Sequence, residues 1–267
     1  MSHSTIPLED DACDVISKAM RGLEISPGEL AKLTGLNDPQ IHAALKGQHS
    51  DEVLKRIAPA LHLSTDALVG LVHYQPIATA PEKLIRFVTP FGHAGVNAYA
   101  IIGEKHALVF DTGTDAAPIT GFLKEHELAL DTLYITHRHH DHTAGVHDFD
   151  GSRIIYPENM EHGSCREIQP GHTLTALDVS GHTDPARAYF YQGLDVPVCI
   201  IGDSMFAGSM GGTPNAQSYQ QALQTATEHL LTLPANTILC PGHGPLSTVA
   251  SERAHNSFLA EEITPEQ

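Results

Sequence analysis

Apolar positions in the first 75 residues recur at helical spacing, and capping residues separate the apolar segments. Ser26 before Pro27, with Glu29 three residues after the serine, is typical of a helix start. Gly35 is typical of a helix end. The pattern predicts helices over Asp10–Met20, Pro27–Leu33, Pro39–Leu45, Asp51–Leu61 and Thr65–Val72. An all-helical domain over residues 1–75 is therefore predicted.

The pattern changes after residue 75. Residues 76–82 contain two prolines and no periodicity, which predicts a linker. Short β-branched runs then alternate with helical ones, so residues 83–267 are predicted to form an α/β domain. The predicted strands are Leu84–Val88, Ala98–Gly103, Ala107–Phe110, Asp131–Thr136, Arg153–Tyr156, Leu174–Val179, Ala188–Gln192, Val198–Ile201 and Thr237–Cys240. The predicted helices are Ala117–His126 and Tyr219–Leu231.

Charge and composition narrow the classes of function. Thirty-two acidic and fifteen basic residues give a net charge of -17, which makes nucleic acid an unfavourable partner. No apolar stretch approaches the length of a membrane span and no signal segment is recognisable, so we expect a cytoplasmic protein that does not enter a membrane. The four cysteines form no CxxC pair, and Cys199 and Cys240 are predicted to be buried thiols.

A cluster of four histidines and one aspartate occupies residues 136–142, directly after a predicted buried strand. His137 and His139 lie two positions apart, so their rings would project to the same side of an extended segment. Asp141 and His142 follow. Because open α/β sheets bind ligands at the carboxyl ends of their strands, the cluster predicts a metal site there.

Three later segments each place a polar residue after glycine at a strand end. They are Gly181-His182, Gly202-Asp203 and Gly242-His243. Glycine lets the backbone turn sharply and approach a bound ion closely. With the cluster, these segments give seven candidate ligands, a number that suits two ions. Mixed imidazole and carboxylate ligands favour zinc, with iron or manganese as alternatives, over magnesium or calcium.

The motifs H-x-H-x-D-H, G-H-T, G-D-S and P-G-H-G, in this order, resemble those of the metallo-β-lactamase superfamily, and in particular its single-domain glyoxalase II-like hydrolases. The resemblance covers about residues 83–260. It implies a four-layer αββα sandwich that follows the small helical domain in the chain. It also implies a binuclear metal-dependent hydrolase that uses a metal-bridging hydroxide on a thioester of the hydroxyacylglutathione type or a related small ester.

The resemblance implies a role for each candidate ligand. The ligands of one ion would be His137, His139 and His182. The ligands of the other would be Asp141, His142 and His243. Asp203 would bridge the two ions, and Asp141 and Asp203 are the expected catalytic residues.

Two further segments bear on the site. Asp111, in a turn after a predicted strand, is expected to accept the free N–H of a ligating histidine. Gly211-Gly212-Thr213 stands where similar hydrolases often carry a basic residue after the bridging aspartate. The surrounding segment Met205–Tyr219, rich in glycine and small residues, is expected to line a pocket for a small-molecule substrate.

Residues Ile25–Gly47 resemble the helix-turn-helix of the Cro and phage-repressor family. In the predicted recognition helix, only Gln40, His42 and Lys46 could hydrogen-bond to DNA bases. Residues 1–75 also carry six basic against ten acidic side chains, a balance that disfavours binding to phosphates. We therefore expect this domain to support a homodimer or to cover the active site, rather than to bind DNA. A bundle that only adds stability is an equal alternative to dimerisation.

Two alternative functions stay open at this point. A mononuclear iron persulfide dioxygenase would share the fold and the first motif. A metal-containing DNA-binding regulator would use the helical domain to bind DNA.

Overall fold

The computed structural model describes residues 6–76, 78–92 and 95–260. Its N-terminal helices are α1 (Ala12–Gly22), α2 (Pro27–Thr34), α3 (Asp38–Ala44), α4 (Asp51–Ala60) and α5 (Thr65–Gly70). All the helices predicted here are present, with ends within two residues of the prediction. The linker and the domain bounds stay predictions, and Ile77 in the predicted linker lies outside the described residues.

The N-terminal helices share one apolar core. The capping box predicted at Ser26 is formed, since Glu29 Oε2 accepts from Ser26 N at 2.8 Å. The apolar faces meet around fully buried side chains of α1, α2, α3 and α4. Among these side chains are Val15, Ile16, Leu30, Ile41 and Ile57. Burial of these faces holds the short helices together, because isolated helices of this length are marginal in water.

Two β-sheets follow. The first has strand order β1-β2-β3-β4-β5, and the second has order β11-β10-β9-β8-β7-β6. The strands of the first sheet are β1 (Leu84–Thr89), β2 (Val96–Ile102), β3 (His106–Phe110), β4 (Ala129–Tyr134) and β5 (Ile154–Ile155). Those of the second are β6 (Cys165–Gln169), β7 (His172–Asp178), β8 (Arg187–Gln192), β9 (Val198–Gly202), β10 (Ile238–Pro241) and β11 (Ser247–Thr248).

The sheets pack face to face and helices cover their outer faces. Tyr99, Tyr134 and Tyr189 lie in the core between the two sheets. The remaining helices are α6 (Ala117–Glu125), α7 (His140–Thr143), α8 (Ala216–Thr225) and α9 (Val249–His255). Helix α6 packs on the first sheet, while α9 and a π-helical turn at Ala226–Leu230 pack on the second. The predicted αββα sandwich with a small helical N-terminal domain is confirmed.

Several element boundaries differ from the prediction. Strand β4 ends at Tyr134 instead of Thr136, because the Asp111 carboxylate accepts from Thr136 N at 2.8 Å in place of a neighbouring strand. The helix predicted from Tyr219 starts at Ala216, where Asn215 caps it, and its last part is the π-helical turn. The prediction missed β6, β11 and α9, since they lack large apolar side chains at a regular spacing.

Two other expectations concern cysteines and membranes. All four cysteines are free thiols, and Cys199 and Cys240 are buried, as predicted. Among the described residues, no helix combines the length and the apolar character that crossing a membrane requires.

Buried Glu252 of α9 joins the segment after α5 to the loop after β9. One carboxylate oxygen accepts from Tyr74 Oη at 2.8 Å. The other accepts from Gly208 N and from Asn256 Nδ2, each at 2.9 Å. Burial raises the pKa of Glu252, and these donors oppose the rise. One carboxylate therefore satisfies donors from three separate segments.

Replacement of Glu252 by Ala is expected to destabilise the protein by about 3 kcal/mol, because it leaves buried donors unpaired. Urea unfolding at equal protein concentration measures this loss. Glu104→Ala, at an exposed position between β2 and β3, is the control and should leave the midpoint unchanged. Equal midpoints for the two variants would show that the Glu252 network adds no stability.

Candidate metal centre

The seven predicted ligands meet at one edge of the sandwich, although they come from four parts of the chain. The loop after β4 carries His137 and His139, and α7, which follows it, carries Asp141 and His142. The other three ligands follow the ends of β7, β9 and β10. They are His182, Asp203 and His243. The strand ends therefore bring together residues that are more than 100 positions apart.

The first group consists of His137, His139, His182 and Asp203, whose candidate ligand atoms lie within 4.8 Å of one another. His139 Nδ1 is 3.1 Å from both His137 Nε2 and His182 Nε2. His139 thus presents its Nδ1 atom, whereas the other two rings present Nε2. Asp203 Oδ2 lies 3.8 Å from His137 Nε2 and 3.6 Å from His182 Nε2.

The second group consists of Asp141, His142 and His243. Asp141 Oδ2 lies 3.2 Å from His243 Nε2 and 3.7 Å from His142 Nε2. Asp203 reaches this group too, with Oδ1 at 3.3 Å from His142 Nε2 and Oδ2 at 3.5 Å from His243 Nε2. The Asp203 carboxylate therefore lies between the two groups and within 4 Å of ring nitrogens from both.

The structure places Asp111 behind His142. Its Oδ2 lies 2.9 Å from His142 Nδ1, and its two oxygens also accept from Thr136 N and Thr136 Oγ1 at 2.8 and 2.7 Å. A carboxylate at Nδ1 favours the tautomer that leaves the Nε2 lone pair free to face a cation. The φ angle of Asp111 is 59°, which a short polar residue tolerates better than a branched one.

Backbone carbonyl groups hold two other rings in the same way. His182 Nδ1 donates to Gly212 O at 2.6 Å, and His243 Nδ1 donates to Gly95 O at 2.9 Å. The loop that carries His243 is itself fixed by Asn97, whose Nδ2 donates to Pro241 O at 2.9 Å. These contacts orient both Nε2 atoms toward Asp203 before any ligand binds.

Two buried atoms of the cluster suit a bound cation. His142 Nε2 and Asp203 Oδ1 are buried and make no hydrogen bond within the described part of the chain. A buried polar atom without a partner is costly, and coordination of a metal ion removes that cost. Imidazole and carboxylate ligands at these separations fit zinc or iron. The residues present therefore fit the metal that the motifs imply.

The protonation states of the side chains in the cluster also suit a bound cation. Burial and the nearby His142 hold the pKa of His137 well below its ordinary value, so its ring is neutral. Burial opposes ionisation of Asp203, but His142 and His243 outweigh it and hold the Asp203 pKa well below its ordinary value. Burial also opposes a charge on His243, yet Asp141 and Asp203 raise its pKa to about 10. A cation at His243 would displace a proton.

Two glycines leave the space that the cluster needs. A Cβ atom at Gly242 would lie 2.1 Å from Asp203 Oδ1, and one at Gly211 would lie 2.0 Å from Asp203 O. A side chain at Gly242 would displace the Asp203 carboxylate, and one at Gly211 would displace the Asp203 backbone. The close approach of backbone to ligand that the glycines predict is therefore present.

The N-terminal segment also lies beside the centre, through residues that the sequence did not predict. Glu9 Oε2 lies 4.0 Å from His243 Nδ1, and burial raises the pKa of Glu9. Lys18 of α1 binds Asp10 and donates to Met210 O at 2.9 Å. Ser209 donates to Asp10 as well. Residues about 190 positions apart thus join α1 to the loop after β9, and no local pattern could have indicated this.

The two sheets, the outer helices and the ligand cluster define the metallo-β-lactamase fold. The sequence model of the metallo-β-lactamase superfamily matches residues 92–158. A solved structure of BLEG-1 B3 metallo-β-lactamase is 24% identical, covers 67% of this chain and 100% of its own, and superposes with a TM-score of 0.53. That likeness supports the fold alone.

Curated relatives are similar over the same part of the chain. A probable metallo-hydrolase, YqgX of Bacillus subtilis, is 28% identical over 64% of this chain and 95% of its own. A hydroxyacylglutathione hydrolase of Salmonella paratyphi A is also 28% identical, over 59% of this chain. The match spans 66% of that hydrolase. These matches, each at 28% identity, show similarity to metallo-hydrolases and assign no substrate.

Proposed function

We propose that the protein is a hydrolase that binds two divalent ions, with zinc preferred, and cleaves a thioester of the hydroxyacylglutathione type or a related small ester. The position of Asp203 carries the proposal. Its carboxylate lies within 4 Å of ring nitrogens from His137, His142, His182 and His243. A carboxylate shared by two groups of ligands suits a pair of ions. The hydroxyacylglutathione hydrolase relatives supply the substrate class.

The two ions, when bound, would polarise the carbonyl of the substrate and lower the pKa of a water molecule to near neutrality. The chain's own residues hold the geometry. Asp111 fixes the His142 ring, and the carbonyl groups of Gly212 and Gly95 fix the rings of His182 and His243. Preorganised ligands reduce the rearrangement needed during the reaction.

Hydrolysis of a thioester consumes one water and releases a carboxylate and a thiol. The leaving thiolate has a modest pKa, so it departs without a strong proton donor. This suits a centre in which Asp203 is held ionised. Homodimerisation through α1–α5, the helix-turn-helix resemblance and the compartment stay predictions.

Steady-state assays of the purified protein with S-lactoylglutathione, simple esters and lactones test the proposal, together with elemental analysis of the same sample. We expect hydrolysis of the thioester and close to two metal ions per chain. Oxygen consumption with glutathione persulfide and one iron per chain would instead support a dioxygenase. DNA binding at low salt without any hydrolysis would support a regulator.

A further inference from the structure

The metal centre is open to solvent on one side. His139 is exposed and the His182 side chain is 17% exposed, whereas the side chains of His142 and His243 are 0% and 6% exposed. A substrate must therefore approach past His139 and His182. Gly212, whose carbonyl holds the His182 ring, lies next to this partly exposed histidine.

Helix α1 places a basic side chain beside Gly212. A Cβ atom at Gly212 would lie 3.5 Å from Arg21 Nη1, and its next contacts would be side-chain carbons of Lys18. Lys18 and Arg21 are three residues apart, so they lie on one face of α1. The Lys18 amino group is bound to Asp10 and to Met210 O, which fixes α1 against the loop after β9.

The positive charge of Arg21, in contrast, has no partner among the described residues. It is exposed, and its guanidinium group makes neither an ion pair nor a hydrogen bond within the residues that the structure describes. A protein with a net charge of -17 repels anions over most of its surface, so a cation at the opening changes which ligands can enter. Guanidinium groups bind carboxylates with two parallel hydrogen bonds.

We propose that Arg21 of the helical domain is a specificity-determining residue, which binds a carboxylate of the thioester substrate at the opening beside Gly212. This inference rests on the proposed hydrolase function and adds to it the charge of the preferred substrate. The helical domain then contributes a basic contact to the substrate, whereas the sandwich has only a glycine at position 212. Neutral thioesters would reach the same centre without this contact.

Two readouts test the role of Arg21. The first is hydrolysis of S-lactoylglutathione and of its diethyl ester, which lacks both carboxylate charges. The second is equilibrium binding of S-methylglutathione and its diethyl ester, measured by calorimetry. Arg21→Ala should raise KM for the charged thioester, and Kd for the charged thioether, about fivefold, with little change for either ester, as expected for one partly exposed charged contact.

Arg56→Ala is the matched control, because Arg56 is an exposed arginine of α4 and its loss changes the net charge equally. A second test moves the charge instead of removing it. Gly212 has no positive φ and ordinary contact distances around a Cβ atom, so the double variant Arg21→Ala with Gly212→Arg should fit and should restore the preference for charged ligands.

The outcomes separate this inference from the proposed function. Unchanged discrimination in Arg21→Ala, or an equal loss in Arg56→Ala, would overturn the role of Arg21 even if hydrolysis is normal. If no thioester is hydrolysed, the proposed function fails, and calorimetry still decides whether Arg21 binds a carboxylate. Failure of the double variant to restore discrimination would mean that Arg21 acts through the fold of α1.

Discussion

Replacement of Asp203 by Asn is expected to lower kcat/KM by about a thousandfold or more, because it removes about 4 kcal/mol of stabilisation that depends on both ions. The substitution keeps the shape of the side chain and removes its charge. That charge lies within 4 Å of ring nitrogens from four histidines, so no other side chain can replace it. Elemental analysis should show fewer than one ion per chain.

The control for this variant is Asp195→Asn. Asp195 is exposed and lies just before β9, the strand that ends one residue before Asp203. It should keep full activity and full metal content. Circular dichroism and thermal unfolding of both variants test whether the fold is intact. Two bound ions in folded Asp203→Asn would contradict the bridging assignment, whatever the remaining activity.

Removal of metal is expected to abolish turnover, and addition of zinc, iron or manganese to the depleted protein is expected to restore it. Binding of a metal to the folded state alone should also stabilise the protein, by about 2.7 kcal/mol when the free metal is at 100 times its Kd. The buried His142 Nε2 and Asp203 Oδ1, which make no hydrogen bond among the described residues, would both gain a partner when a cation binds. Thermal unfolding with and without zinc measures it independently of catalysis.

Magnesium is the control ion, since it prefers oxygen ligands and a complete octahedral shell and should neither stabilise nor activate. In Asp203→Asn, zinc should raise the unfolding temperature much less than in the unmodified chain. Unchanged turnover after verified removal of metal would refute the hydrolase mechanism proposed above.

The ligand set was accessible from the sequence because each ligand lies within a short motif. Gly242 beside His243 and Gly202 beside Asp203 mark places where the backbone must turn or approach a side chain closely. The orientation of the rings was not accessible in this way. His139 presents Nδ1 and the other histidines present Nε2. Hydrogen bonds to distant groups hold the rings of His142, His182 and His243.

The fold, too, was predicted correctly where local properties decide it and missed where distant contacts do. The periodicity of α1–α5 placed their ends within two residues, since capping and apolar spacing are local properties. Strand β4 ended early because Asp111 satisfies Thr136. Helix α9 lacks a regular apolar spacing, and its buried Glu252 is paired with Tyr74 and Gly208 instead. In both cases the deciding partner is a polar group from elsewhere in the chain.

The sequence by itself determined most of the elements and the identity of the candidate ligands, because capping, apolar spacing and short motifs act over a few residues. The αββα sandwich followed from the family resemblance of the motifs. The tertiary structure alone decided how α1 is used. Lys18 meets Met210, and Arg21 meets Gly212, across about 190 residues. Such contacts depend on how the N-terminal helices pack on the rest of the chain, which the local pattern of residues does not specify.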